Sequence, residues 1–128
     1  MSAYDTTYDP PAPVTEVTIA NVVNRRRRSS LPALLDTGSD ITTLPHALVD
    51  RLQLYPIGRL RLENVEADTK MVLTYPVQLT IGELSIPRLE VILTGLDFVV
   101  VGRDVLNRLY LLLDGPELDF ELGTTPYR

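Results

Sequence analysis

The chain contains no cysteine, no tryptophan and only one histidine. Without cysteine there is no disulfide, no thiol nucleophile and no thiolate metal ligand, and this composition fits a reducing compartment. With His46 alone, a site with several histidine ligands and a mechanism that uses two histidines are both excluded. Glycine is scarce as well, at seven residues. None of these glycines belongs to a clustered loop of the kind that cradles phosphate in nucleotide-binding proteins.

Long apolar runs and an excess of positive charge are also missing. No apolar run approaches the roughly 20 residues that a membrane-spanning helix needs. The N-terminus lacks the basic start and apolar stretch of a secretory signal. The formal net charge is −5 at pH 7, which argues against nucleic acid as the main partner. We therefore expect a cytoplasmic protein with neither a membrane nor a nucleic-acid partner.

The composition that is present indicates one folded domain. The chain has 128 residues, of which 45% are hydrophobic and 23% are charged, as in an ordinary globular protein with a core. Residues 1–13 contain several prolines and small polar residues but no apolar periodicity, so we predict a flexible N-terminal tail. The remainder, residues 14–128, is predicted to form a single domain.

Period-two alternation of apolar and polar residues dominates the middle of the chain and predicts strands, most clearly between Leu60 and Leu93. Arg25–Arg28 separates two apolar runs and predicts the tip of a hairpin. Short helical patterns follow Pro45 and occupy Asp104–Leu109. The predicted fold class is all-β: a closed or folded-over β domain with one or two short helices.

The segment with the clearest chemistry is Leu34–Asp40, in which an acid follows two leucines and precedes Thr-Gly-Ser. The leucines place Asp36 at the end of a buried strand. Gly38 permits a tight turn and offers an N–H group to a carboxylate oxygen. Two carboxylates that share one proton take different pKa values, so one can act as a base on water while the other donates a proton. The segment occurs once, so a second acid must come from another molecule; otherwise Asp36 is only a structural acid at a strand end.

A second segment, Val99–Leu106, contains an apolar run, then Gly102 and Arg103, then a short helical pattern. Together with the acid segment it resembles the two signatures of the retropepsin-like (retroviral-type) aspartic proteases. The likeness extends from about Val14 to Leu122 and is greatest to the small bacterial and cellular single-domain members. It implies the acid-protease fold, one half per chain, and an aspartic endopeptidase that acts as a homodimer on peptide substrates without metal or cofactor.

The resemblance also implies roles for individual residues. Asp36 would be the catalytic carboxylate, paired with Asp36 of a second chain, with Thr37 in a hydroxyl contact at the dimer axis and Gly38 beside it. Asp40 would form an ion pair with Arg103 that ties the active-site loop to the C-terminal helix. The implied substrate contacts are Leu34, Gly38, Asp40, Val65, Glu66, Phe98 and Val100.

Two further segments follow from the resemblance. Leu118–Leu122 is similar to the terminal strand that interleaves with its mate in the dimer. A flap over the substrate is expected at about Leu60–Leu73. Retroviral flaps carry glycines at their tips, whereas Val65–Thr69 has none. This difference favours the alternative that the chain is a dimerisation or peptide-binding module with little or no turnover.

Overall fold

A computed structural model describes residues 1–63 and 66–126. Over these ranges the chain forms ten β-strands and two short helices. The strands are β1 (Ser2–Ala3), β2 (Val14–Asn21), β3 (Arg28–Leu35), β4 (Thr43–Pro45), β5 (Gly58–Glu63), β6 (Thr69–Ile81), β7 (Leu84–Thr94), β8 (Val99–Val101), β9 (Tyr110–Asp114) and β10 (Asp119–Gly123). The helices are α1 (Leu48–Leu52) and α2 (Arg103–Leu106).

Seven strands form a sheet that closes on itself. Their order is β2-β3-β8-β4-β7-β6-β5, and β2 also pairs with β6. Closure leaves the strands of the ring without open edges. The inward side chains of the alternating pattern form a core of aliphatic residues, in which Ile19, Leu44, Leu79 and Val91 are fully buried. The all-β closed domain with two short helices that the sequence predicts is confirmed.

The arginine run lies at the end of the β2–β3 hairpin. These strands are antiparallel, and their pairing extends from Val14 opposite Leu34 to Ala20 opposite Arg28. The side chain of Asn21 orders the connection, because its carbonyl oxygen accepts the N–H groups of the two residues that begin the turn. The four arginines are exposed, as expected for a solvated hairpin tip.

Strand β8 lies between β3 and β4, and it therefore positions the active-site loop that connects these two strands. It is parallel to β3, with Leu35 opposite Val101, and antiparallel to β4. The chain therefore leaves β3, forms the active-site loop over residues 36–42, and returns on the other side of β8. Since the parallel strands β3 and β8 end at the same level, the two sequence segments with family signatures meet there.

Residues 1–13, expected to be a flexible tail, contact the domain in this structure. Ser2 and Ala3 pair with β10, and Asp5 and Ala12 form an isolated bridge. The Tyr4 ring centroid lies 6.2 Å from that of Phe120. A second, three-stranded sheet therefore has the order β1-β10-β9. Because β10 already has a strand on each side, the interleaving expected of residues 118–122 would require β1 to move away.

Candidate active site

The Asp36 carboxylate is oriented by the turn in which it lies. The Asp36 N–H donates to the Val101 carbonyl at 2.9 Å, which fixes the end of β3 against the end of β8. The Gly38 N–H donates to Asp36 Oδ1 at 2.9 Å, as expected from the sequence. A Cβ on Gly38 would lie 3.2 Å from the same oxygen, so glycine permits this close approach. Asp36 is half-buried, and its Oδ2 accepts no hydrogen bond from the described residues.

Gly102 allows the active-site loop to pack against the start of α2. A Cβ at this position would lie 2.8 Å from the carbonyl oxygen of Ser39 and 2.9 Å from the carbonyl carbon of Ile41. Both atoms are backbone, so neither can swing away. The Arg103 N–H donates to the same Ser39 carbonyl at 2.8 Å. The glycine is therefore required by packing, and the loop is held against the helix at its first residue.

The Arg103 guanidinium spans the outer part of the loop. Its Nη1 donates to the Thr37 carbonyl at 2.7 Å, and its Nη2 forms an ion pair with Asp40 Oδ1. The side chains of Arg103 and Asp40 are 45% and 83% exposed, so solvent screens their attraction and the net stabilisation is modest. The contribution of the arginine is geometric: its planar fork fixes the distance between the two ends of the turn.

The strongest anchor of the loop joins Thr42 to Asp104 and was not predicted from the sequence. Thr42 is fully buried. Its N–H donates to Asp104 Oδ2 at 2.9 Å, and its hydroxyl donates to Asp104 Oδ1 at 2.7 Å. The hydroxyl oxygen also accepts the Gly102 N–H at 3.1 Å. The available signal was weak: an acid directly after Gly-Arg, at the start of a short helical pattern.

An apolar face adjoins the active-site loop. Leu34 and Val100 are opposite each other in the β3–β8 register. Their neighbours along both strands belong to the core, whereas Leu34 and Val100 do not, so alternation directs these two side chains to the opposite face. Phe98 is half-buried and meets the ring of Tyr8 edge-on, with 5.5 Å between centroids. Burial raises the pKa of the Tyr8 phenol, and the carboxylates of Asp5 and Asp97 raise it further.

The β5–β6 hairpin lies across a cavity from the active-site loop. The two strands pair from Gly58 opposite Thr74 to Glu63 opposite Thr69. A cavity of about 710 Å³ separates β5 from Asp40 and Ile41 and is closed below by β7. Glu66 is exposed at the end of the hairpin, whereas Val65, another expected substrate contact, lies outside the described residues.

Known structures match this arrangement. EIAV protease, in a complex with the inhibitor HBY-793, is 24% identical with a TM-score of 0.54, and the match covers 75% of this chain and 86% of that one. The protease of simian foamy virus (mac) is 18% identical with a TM-score of 0.56, over 74% and 92% of the two chains. A retropepsin-like aspartic protease from Rickettsia conorii is 17% identical with a TM-score of 0.52, over 88% and 92%. The fold is retropepsin-like.

The sequence itself matches no protein-family model and no curated protein. The retropepsin-like fold is therefore recognised from the strand arrangement and not from overall identity. Within it, the two short segments that the sequence analysis singled out lie together at the ends of β3 and β8. The structure thus brings Leu34, Asp36, Gly38, Asp40 and the Gly102-Arg103 pair to one end of the domain.

This retropepsin-like domain offers carboxylate chemistry at that end. Asp36 has one oxygen held by the Gly38 N–H, and the other accepts no hydrogen bond from the described residues. Over residues 1–63 and 66–126, no group of three or more His, Cys, Asp or Glu side chains is placed to hold a metal ion. No helix in the same ranges is long and apolar enough to cross a membrane.

Proposed function

We propose that this chain is an aspartic endopeptidase that acts as a homodimer. The observation that carries the proposal is the Asp36 turn, in which a carboxylate follows the buried Leu35 at the end of β3 and is held by the Gly38 N–H within a retropepsin-like fold. Thr37 and Gly38 are exposed beside it, so they are accessible to a second copy of the chain. The similar structures from EIAV and Rickettsia conorii are proteases, which supports the same reaction class.

The proposed mechanism needs one Asp36 from each chain. Two adjacent carboxylates repel each other when both are charged, so the pair retains one proton. The charged carboxylate accepts a proton from a bound water as the water attacks the peptide carbonyl, and the protonated one donates to the carbonyl oxygen. The tetrahedral intermediate then breaks its C–N bond: the first carboxyl group gives its proton to the leaving nitrogen, and a hydroxyl of the intermediate returns a proton to the second, which restores the starting pair. The chemistry passes through no covalent enzyme intermediate and requires neither metal nor cofactor.

The substrate is proposed to lie between the active-site loop and the β5–β6 hairpin, which would act as a flap. An extended peptide there can form strand-like hydrogen bonds to backbone groups. Leu34, Val100 and Phe98 provide the apolar face for side chains next to the cleaved bond. The contacts proposed for the peptide backbone and flap are Gly38, Asp40, Val65 and Glu66.

Exposed leucines on the β9–β10 hairpin support dimerisation. Leu112, Leu113 and Leu118 are 43%, 46% and 40% exposed. Because neighbouring strand residues point to opposite faces, the first two present apolar surface on both sides of the hairpin. We propose that a second chain covers this surface.

The replacement Asp36→Asn tests the proposal. It keeps the size of the side chain but removes the charge, so cleavage of a peptide library should fall at least about 10³-fold, within the range of general acid–base catalysis. Sedimentation should show the dimer unchanged. The control Asp50→Asn, an exposed acid in α1, should cleave like the wild type. Undiminished cleavage by Asp36→Asn would overturn the proposal.

A second candidate function is a dimerisation or peptide-binding module without turnover. The observation in its favour is the flap tip, where glycine is absent and Ala67 takes a left-handed conformation with φ 63°. The two candidates differ in a direct assay. If the wild-type chain dimerises and binds peptides but cleaves none from acidic to neutral pH, the binding module is correct and the protease proposal fails.

A further inference from the structure

The cavity between β5 and the active-site loop has walls of two chemical kinds. Leu60 and Leu62 of β5 are half-buried, and Leu89 of β7 is 7% exposed. Together with Ile41 they form an apolar wall. Its volume of about 710 Å³ is within the range of ordinary ligand pockets. Apolar surface of this size at the edge of a peptide-binding cleft suits the carbon chain of a large side chain.

Among the described residues, four carboxylates and one cation, Arg61, line the same cavity. Asp104 is satisfied, because both of its oxygens accept hydrogen bonds from Thr42. Asp40 is neutralised by its ion pair with Arg103. Asp104 keeps its negative charge, and Arg61 offsets one charge of the lining. The two remaining acids, which lie on the strands that form the sides of the cavity, have neither an ion pair nor a fully occupied carboxylate within the described chain.

Those two acids are Glu63 and Glu90. Both are exposed, and neither forms an ion pair with a residue of the described ranges. Glu90 is held in place, since its Oε1 accepts the Thr74 hydroxyl at 2.9 Å. A Cβ on Gly58 would lie 2.8 Å from that hydroxyl and 3.2 Å from Glu90 Oε1, so the neighbouring glycine makes room for the contact.

We propose that this cavity is a subsite for a substrate side chain with an apolar stem and a cationic end, arginine or lysine. The inference rests on the proposed function. The leucines would contact the methylene groups while the cation reaches either Glu63 or Glu90 at the solvent-exposed rim. An uncharged apolar side chain leaves both carboxylates without a cationic partner, and an acidic one is repelled by them. Because the cavity includes Asp40 but not Asp36, it receives a residue away from the cleaved bond.

Matched peptides test the subsite. Peptides that differ only by Arg, Leu or Glu at one position are compared, and that position is moved stepwise away from the cleaved bond. At one position the wild-type dimer should cleave the Arg peptide about threefold better in kcat/KM than the Leu peptide, the effect of one solvent-exposed ion pair. The preference should shrink as salt is raised, because exposed charges are screened.

Charge variants identify the residues responsible. In the double variant Glu63→Gln, Glu90→Gln the Arg-to-Leu ratio should fall to about one, and Glu63→Lys should turn the preference towards the Glu peptide. Glu83→Gln is the control, because Glu83 lies outside the cavity and the variant loses one negative charge elsewhere on the surface. The control should keep both the wild-type ratio and the wild-type rate.

Binding separates the two proposals. The same peptides are titrated onto Asp36→Asn by calorimetry, where a tighter Kd for the Arg peptide supports the subsite even without turnover. Cleavage by the wild type with an Arg-to-Leu ratio near one at every position would overturn the subsite and leave the protease proposal intact. A preference for the Arg peptide that persists in the double variant Glu63→Gln, Glu90→Gln would also overturn the subsite. Arg-selective binding without any cleavage would overturn the protease proposal instead.

Discussion

Thr42 ends the active-site loop and Thr43 begins β4, and the hydroxyl groups of these two threonines have opposite environments. The Thr42 hydroxyl donates to Asp104 and accepts from the Gly102 N–H. The Thr43 hydroxyl is buried and has no hydrogen-bond partner among the described residues. A buried polar group without a partner costs about 1–3 kcal/mol, whereas a satisfied one contributes to stability. The same substitution at the two positions should therefore change stability in opposite directions.

Thr43→Val should raise the free energy of unfolding by about 1 kcal/mol, because it removes an unpaired hydroxyl and keeps the side-chain shape. Thr42→Val should lower it by about 2–3 kcal/mol, because Asp104 and the Gly102 N–H lose a buried partner. Urea unfolding of both variants checks the pair. Equal destabilisation by both would contradict the hydrogen bonding described for this loop.

Gly102→Ala provides a test of packing. Its Cβ would meet two backbone atoms of the loop at 2.8 and 2.9 Å, and the strain of overpacking should lower the free energy of unfolding by about 3 kcal/mol. Gly95→Ala is the matched control, since a Cβ there meets nothing within 4 Å. Thermal unfolding compares the two variants. If Gly102→Ala unfolds at the wild-type temperature, packing of the active-site loop against α2 does not require glycine at this position.

The contacts around Asp36 differ in how well they could be predicted from sequence. The Asp40–Arg103 ion pair and the Gly38 N–H contact were expected, because each belongs to a short motif with a known physical role. The Thr42–Asp104 contact was not. It joins residues 62 positions apart, and no local pattern specifies which buried hydroxyl an acid will reach. Long-range pairing of this kind is visible only once the strand order is known.

Sequence patterns predicted the positions of the strands better than which strands pair with each other. Alternation indicated strands at Met71–Tyr75 and Val77–Ile81, and the structure joins them through Pro76 into the single strand β6, with an irregular register near Val77. The position of β8 between β3 and β4 was not predictable. Periodicity tells which face of a strand is buried, but a three-residue apolar run such as Val99–Val101 pairs equally well with many neighbours.

The β5–β6 hairpin provides a prediction about its end. Ala67 has φ 63°, a conformation that is unfavourable for residues with a Cβ. Ala67→Gly should raise the free energy of unfolding by about 0.5–1 kcal/mol, the relief of strain less the entropy that glycine adds to the unfolded chain. Gly82 has φ 56°, and Gly82→Ala should lower stability by about 1 kcal/mol. A loss of stability in Ala67→Gly would contradict this conformation.

At the scale of the whole molecule, the chain has a closed barrel but an apolar hairpin outside it. The barrel buries its strands on its own, whereas Leu112, Leu113 and Leu118 remain exposed on β9–β10. A single copy also supplies only one Asp36. We propose that a second copy of the chain completes both the apolar surface and the active site.

Leu112→Arg tests whether that surface forms the dimer. A charge placed in an apolar interface must be desolvated without a partner, so the variant should sediment as a 14.3 kDa monomer and lose peptide cleavage while it stays folded. Val23→Arg is the control, because Val23 lies in the connection between β2 and β3 and is 92% exposed. This variant should remain a dimer. A dimeric, active Leu112→Arg would show that the chains associate elsewhere.

The central claim is that each active site contains Asp36 from two chains, and subunit mixing tests it most directly. Wild-type and Asp36→Asn chains are mixed at a fixed total concentration, allowed to exchange, and assayed for peptide cleavage. If both acids are needed, activity depends on the square of the wild-type fraction, so an equal mixture retains about one quarter of the wild-type activity. Activity that falls in direct proportion to the wild-type fraction would show that each chain acts alone, and would contradict the account.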